Sequence, residues 1–161
     1  MLFGNLSESE SDDDGDWTVS LPEDHPDPMR IILNIIHGYS ELVPQELDTI
    51  QELYEVVALA DKYGTIRFLR FWVSTWIGLV GAIVSPSPPQ AERKPESPRL
   101  RESLLHATYI SWKLGHETYF TRAMREVCLR HENSDQVLSE FEAVKYFGAL
   151  EYIGMYTCYL C

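Results

Sequence analysis

Three cysteines and one of the five histidines of this 161-residue chain have a spacing that could form a zinc site. Cys158 and Cys161 form a Cys-x-x-Cys pair, and Cys128 and His131 lie three residues apart. Together these side chains could complete a tetrahedral zinc site that stabilises a small helical domain. The alternative is that they are ordinary thiols and an unrelated histidine near an apolar C-terminus, and this is the interpretation that we adopt. We therefore expect no metal and no cofactor.

Patterns typical of catalysis are missing from the sequence. It contains no Gly-x-Ser-x-Gly, no His-Glu-x-x-His and no glycine-rich phosphate loop. Asp24 and His25 are neighbours, but they lie where a loop is predicted to enter a helix, and an aspartate there is explained as a helix cap. His37, His106 and His116 have no acid–base partner at a spacing typical of catalysis. Proton transfer needs such a partner within hydrogen-bonding distance, so we expect a protein that is not an enzyme.

The charge of the chain is concentrated at its N-terminus. The formal net charge is −12, and residues 1–29 hold nine acids and no Lys or Arg, which leaves −3 for residues 30–161. An acidic chain lacks the clustered cations that bind phosphates, so we expect no nucleic-acid partner. Residues 1–16 are too polar to bury a core and are predicted to be a disordered acidic tail. Three cysteines and no signal peptide favour an intracellular protein, in the cytoplasm or the nucleus.

Hydrophobic periodicity predicts a mainly helical first domain over residues 17–84. Trp17–Leu21 alternates like a short strand. Asp27, or Asp24 as a competing cap, is then expected to start a helix that ends at Gly38, with an inner face that comprises Met29, Ile32, Leu33 and Ile36.

Two further helices complete this domain. Thr49 and Glu52 have capping-box spacing, and they open a helix that ends at Gly64. One more helix is expected from Thr65 to before Pro86. Its inner face comprises Leu69, Trp72, Val73, Trp76 and Val80.

Residues 85–98 hold five of the nine prolines and are predicted to be a linker. Residues 99–157 are expected to be a helical extension with helices over 100–114, from about Tyr119, and from about Asp135, and residues 158–161 a tail. Residues 71–84 are uncharged, but a spanning helix needs about 20 apolar residues. We therefore expect a buried helix and no membrane association.

Several segments of this sequence resemble the fungal branch of the BTB/POZ family. The resemblance is carried by Leu21-Pro-Glu-Asp-His-Pro, by Ile32-Leu-Asn-Ile-Ile-His37-Gly38, and by the helix Leu53–Tyr63 with its Leu-Ala-Asp-Lys-Tyr ending. Phe71-Trp72 and Trp76 are similar to aromatics of the following family helix. Ile110-Ser-Trp112-Lys-Leu-Gly115 with Phe120 resembles a stretch that follows the domain in fungal members. The resemblance covers residues 17–80 and, more loosely, 100–131.

The resemblance implies a protein-interaction module, either a ubiquitin-ligase adaptor or a scaffold related to transcription. The implied fold is a BTB-like helical cluster with one short strand, an α+β remnant, followed by a helical extension. The implied partners are a cullin scaffold or another BTB chain, with the adaptor contact around Leu21–His37 and the turn Tyr39–Leu47. The residues that we assign to this interaction are Leu21, Asp24, His37, Gly38, Asp61, Lys62 and Tyr63.

One departure from the family concerns the N-terminal half of the domain, which supplies most of the usual dimer face. Only 16 residues precede Trp17, so we expect that this half is missing. Apolar side chains that it would cover are then expected to be exposed and to cause self-association or marginal stability. The side chains concerned are Trp17, Leu33, Leu53, Trp72 and Trp76.

Overall fold

A computed structural model describes residues 21–85 and 98–130, and the regular structure in these two ranges is helical. Helix α1 spans Pro26–His37, α2 Ile50–Lys62, α3 Arg70–Trp76, α4 Gly78–Ile83, α5 Pro98–Lys113 and α6 Glu117–Arg130. Short 3₁₀ helices cover Ser40–Leu42 and Ile66–Leu69. The mainly helical prediction is confirmed, and the described ranges contain no strand.

Several sequence predictions fall outside the described residues. They concern the acidic segment 1–16, all of the strand Trp17–Leu21 except its last residue, and most of the linker 85–98. The third helix of the extension and the C-terminal residues 158–161 also lie outside. These remain predictions.

Helix α1 begins earlier than the sequence predicts. Its first residue is Pro26 and its N-cap is His25, whose side chain makes no capping hydrogen bond. The prediction that Asp27 caps the helix is therefore wrong, and Asp27 instead lies in the first turn, paired with Arg30. Asp24 is not the cap either, because its carboxylate is used elsewhere. Proline at the first helical position supplies the start, since its missing N–H is not needed there.

Helix α2 begins and ends as predicted. The Thr49 side chain accepts a hydrogen bond from the Glu52 N–H at 3.2 Å, and the Glu52 carboxylate accepts one from the Thr49 N–H. At the other end Gly64 has a φ of +65°, and the Thr65 N–H reaches back to the Ala60 carbonyl at 2.7 Å. This left-handed glycine closes the helix because residues with a Cβ rarely adopt that conformation.

The segment after α2 is interrupted, although the sequence predicts one continuous helix. A 3₁₀ turn at Ile66–Leu69 leads into α3, and α3 gives way to α4 around Ile77. Gly78 at the start of α4 lowers helix propensity at this junction. The predicted inner residues Leu69, Trp76 and Val80 are buried, whereas Trp72 and Val73 are partly buried against the core.

Helix α5 connects the two described ranges into one hydrophobic core. It packs against α2, α4 and α6, and its residues Leu104, Ala107, Tyr109 and Ile110 are buried with Leu53 and Val57 of α2. The predicted break at Gly115 is confirmed, with a φ of +70°. The helix predicted from about Tyr119 is α6, in which Phe120, Ala123, Met124 and Val127 are buried and Tyr119 and Cys128 pack at the edge of the core.

Some side chains that were predicted to be exposed, and to cause self-association, are in fact buried. Leu53 is completely buried, and Trp76 is almost completely buried and donates its indole N–H to the Pro44 carbonyl at 3.2 Å. Trp72 is partly buried beside Trp76. Of the five side chains that this prediction names, Leu33 is exposed, and Trp17 lies outside the described residues.

Candidate protein-interaction surface

Asp24 ties the chain before α1 to the end of α2. Its carboxylate is nearly inaccessible to solvent, and it accepts hydrogen bonds from the Lys62 ammonium at 2.7 Å and from the Tyr63 hydroxyl. Burial raises the pKa of the Asp24 carboxyl, but the hydrogen bonds from Lys62 and Tyr63 and the positive charge of Lys62 outweigh this, so the pKa is lowered. Asp24 therefore stays ionised and holds the two segments together.

Asp61 ties the same end of α2 to α5. Its carboxylate lies 2.7 Å from the Lys113 ammonium and accepts a hydrogen bond from the Tyr109 hydroxyl at 3.1 Å. The Lys113 ammonium also lies 4.3 Å from the centroid of the Trp112 ring. The segment Asp61-Lys62-Tyr63 thus fastens three parts of the chain at one corner, and all three side chains point to partners within the chain.

The residues that we assigned to the interaction separate into two groups. Asp24, Lys62 and Tyr63 meet, and the Leu21 carbonyl accepts a hydrogen bond from the Asp24 N–H at 3.2 Å. His37 and Gly38 lie at the opposite end of α1, which is about 18 Å long at 1.5 Å per residue. Both are exposed, and Gly38 adopts a φ of +79° to end the helix. As partner contacts, all seven residues remain predictions.

Exposed apolar side chains mark the second half of α1 and the turn after it. Leu33, Ile36, Tyr39 and Leu42 are all exposed within ten consecutive residues. We call these four the α1 apolar segment. The segment is held in place because Gly38 closes the helix and the Asn34 side-chain amide donates to the Leu42 carbonyl at 3.4 Å. Apolar side chains that are kept in water by a rigid backbone are typical of a surface that binds another protein.

The prediction that Leu33 and Ile36 face the core is wrong. The buried residues of α1 are Pro28, Ile32 and Ile35, whereas Leu33 and Ile36 flank this row and are 45% and 42% exposed. A signal was present in the sequence. Six of the eight residues from Met29 to Ile36 are apolar, which is more than the face of one amphipathic helix requires. The excess indicated a second apolar face.

A second exposed patch lies where α3 begins. Phe68 and Phe71 are exposed, and the guanidinium groups of Arg67 and Arg70 stack on them at 4.8 and 4.7 Å from the ring centroids. Hydrophobic periodicity predicts this stretch only as part of a buried helix. The alternation of arginine and phenylalanine in Arg67-Phe-Leu-Arg-Phe71 was the signal that could have revealed it.

His106 is a buried titratable group between α5 and α2. Its ring stacks on that of Tyr54 with centroids 4.1 Å apart. Burial lowers the pKa of the His106 imidazole, and the carboxylates of Glu102 and Glu55 offset part of this. The neutral ring therefore serves as packing between the two helices.

A groove of about 360 Å³ lies between the start of α1, the loop after Val43 and α2. Several carboxylates line it, including Asp27, Glu46 and Asp48, with Arg30 as the arginine of the lining. Glu52 is already used there, because its carboxylate accepts from the backbone N–H groups of Asp48 and Thr49. Its walls come mostly from the start of α1 and from the loop before α2, with Glu52, Glu55 and Val56 contributed by α2.

The zinc hypothesis can be compared with the structure at one residue. Cys128 is partly buried on α6 and packs against the core. His131, Cys158 and Cys161 lie outside the described residues. Within residues 21–85 and 98–130, no group of three or more metal-binding side chains comes together. In the same ranges, none of the helices combines the length and the apolar character needed to span a bilayer.

Comparisons with known proteins add no family to these observations. No protein-family model, no curated protein and no solved structure gives a significant match to the chain.

Proposed function

We propose that this chain is a non-catalytic protein–protein interaction module of the BTB/POZ type, and that it contacts its partner through the α1 apolar segment. The observation that carries the proposal is the outward orientation of Leu33 and Ile36, continued by Tyr39 and Leu42. This is the region that the sequence resemblance assigns to partner binding. An intracellular adaptor of a cullin scaffold, or a chain that pairs with another BTB chain, would use such a surface.

The chemistry of the surface supports a protein partner. One row of α1 is buried in the core, and Leu33 and Ile36, three residues apart beside that row, are exposed, with the ring of Tyr39 after the helix end. A helix of this kind packs into an apolar groove or against a second helix. Burial of each aliphatic side chain in a partner would contribute about 1.5–3 kcal/mol.

The ionised groups support a structural role over a catalytic one. Asp24 and Asp61 are held by Lys62, Tyr63, Tyr109 and Lys113 inside the chain. Those contacts join helices and leave the two carboxylates with little capacity to receive a substrate. In this proposal the Asp-Lys-Tyr ending of α2 keeps α1 and α5 in position, and the α1 apolar segment makes the contact.

The chain offers a matched pair of leucines for the test. Leu33 and Leu129 are each 45% exposed, the first on α1 and the second on α6. Leu33→Asp and Leu129→Asp should therefore disturb the fold to the same small extent. Sedimentation velocity would measure self-association of the full chain, and titration with a purified fungal cullin would measure adaptor binding.

The proposal predicts that the chain self-associates or binds the cullin, and that Leu33→Asp weakens this at least about tenfold, as expected for the loss of one buried leucine. Leu129→Asp should leave it unchanged. Equal effects of the two substitutions would overturn the assignment to α1. A wild-type chain that stays monomeric and binds no cullin would overturn the BTB-type function.

A further inference from the structure

The arginine–phenylalanine patch, formed by Arg67, Phe68, Arg70 and Phe71, is built to receive an anion. Phe71 is 71% exposed, and each guanidinium group lies over the ring of the following phenylalanine. Stacking occupies the face of a guanidinium group and leaves its N–H edge available for a carboxylate. Within the described residues, no carboxylate pairs with Arg67 or Arg70.

The patch is also a local excess of positive charge on an acidic chain. From residue 62 to residue 91 the sequence contains Lys62, Arg67 and Arg70 and no Asp or Glu. Lys62 is neutralised by Asp24 at 2.7 Å. The two arginines therefore remain as the uncompensated charge of this stretch, beside an exposed aromatic ring.

Negative charges that could neutralise the two arginines lie in the N-terminal part of the chain. Residues 8–16 contain six acids and no Lys or Arg; the acids are Glu8, Glu10, Asp12, Asp13, Asp14 and Asp16. The described chain starts at Leu21, and three residues later Asp24 is bonded to Lys62, which precedes Arg67 by five residues. The acidic residues are thus connected to the patch by a short path along the chain that crosses at the Asp24–Lys62 contact.

The number of residues before Leu21 sets how far the acids can reach. Asp16 is five residues from Leu21, which allows up to about 17 Å, and Glu8 is 13 residues away, which allows up to about 45 Å. A short connection of this kind gives an effective concentration on the order of millimolar, so weak ion pairs suffice.

We propose that residues 8–16 bind the arginine–phenylalanine patch of the same chain, with their carboxylates on the guanidinium edges of Arg67 and Arg70. This contact covers Phe71 and competes with any acidic ligand that approaches the patch. It goes beyond the proposed function, because it does not involve the α1 apolar segment and does not depend on a partner.

Amide chemical shifts of the full-length ¹⁵N-labelled chain test the contact. Neutralisation of the acids by Asp12→Asn, Asp13→Asn, Asp14→Asn and Asp16→Asn together should shift the amide signals of residues 67–71. The exposed arginines Arg122 and Arg125 on α6 serve as the matched control, and their signals should not move. Added salt should produce the same shifts in the wild type, since it screens ion pairs.

The reciprocal change separates a specific contact from a general charge effect. Arg67→Gln with Arg70→Gln should shift the amide signals of residues 8–16, whereas Arg122→Gln with Arg125→Gln should not. All four positions are exposed, and unchanged signals of Trp76 and Tyr109 would verify the fold. Equal effects of both pairs, or no effect of either, would overturn the proposal. Shifts that disappear on dilution would place the contact between two copies and overturn its assignment to the same chain.

Discussion

The buried contacts of Asp24 predict that removing its carboxylate destabilises the fold much more than removing that of Asp27. The Asp24 side chain is 4% exposed, and it binds Lys62 and Tyr63. The Asp27 side chain is 61% exposed, and its pair with Arg30 at 2.9 Å lies in water. Asp24→Ala and Asp27→Ala therefore remove the same group from two ion pairs that differ in burial.

The expected loss of stability depends on whether Lys62 and Tyr63 regain a hydrogen-bond partner once Asp24 is removed. A hydrogen bond to a charged group contributes about 1.5–3 kcal/mol. Lys62 is 34% exposed and regains water when Asp24 is removed, whereas the partly buried Tyr63 hydroxyl loses its acceptor. We expect Asp24→Ala to lower the free energy of unfolding by about 2 kcal/mol. Asp27→Ala should lower it by less than about 0.5 kcal/mol.

Urea unfolding monitored by circular dichroism measures both values. A loss of 2 kcal/mol moves the midpoint by about 1 M urea for a chain of this size. The pH dependence gives a second test. The pKa of Asp24 lies below its ordinary value of 3.8 in the fold, so its stabilisation is complete above that pH and disappears as the pH falls through the folded value. The difference between wild type and Asp24→Ala should shrink in that acid range. An Asp24→Ala chain no less stable than Asp27→Ala would refute this reasoning.

Four further substitutions test the supports of the fold by the same unfolding assay. Thr49→Ala removes the capping box of α2 and should cost about 1 kcal/mol; no change would mean that packing alone fixes this helix start. Gly64→Ala forces a Cβ into a left-handed residue and should cost about 1–2 kcal/mol, whereas Gly78→Ala, with open space around it, should be neutral or stabilising. Stability should fall as the pH drops below 6.5, because the pKa of buried His106 is lowered from that value and the unfolded chain takes up the proton first. His106→Phe, which retains the ring that stacks on Tyr54, should flatten this dependence, and an unchanged slope would contradict the assignment.

Local sequence signals predicted the helix ends well. The capping box of Thr49 and Glu52 and the stops at Gly38, Gly64 and Gly115 depend on backbone groups within a few residues of each other. Such signals do not need the rest of the fold. The start of α1 was mispredicted because two aspartates competed as caps, and long-range contacts took Asp24 away to Lys62 and Tyr63.

Features that depend on contacts distant in sequence were not predictable. Which face of α1 turns inward is decided by its packing against α2, and the periodicity of an almost wholly apolar helix does not specify it. The role of Asp61 as a link to Tyr109 and Lys113 joins residues about 50 positions apart. The stacking of Arg67 and Arg70 on exposed rings was likewise hidden by the expectation of one continuous helix.

Amide hydrogen exchange, measured on the full chain with and without its bound partner, tests the central proposal most directly. The partner would be the fungal cullin, or a second copy of the chain at high concentration. We predict that binding slows exchange in residues 33–42, while α6 near Leu129 exchanges at its original rate. Slower exchange at α6 with none in residues 33–42 would contradict the account.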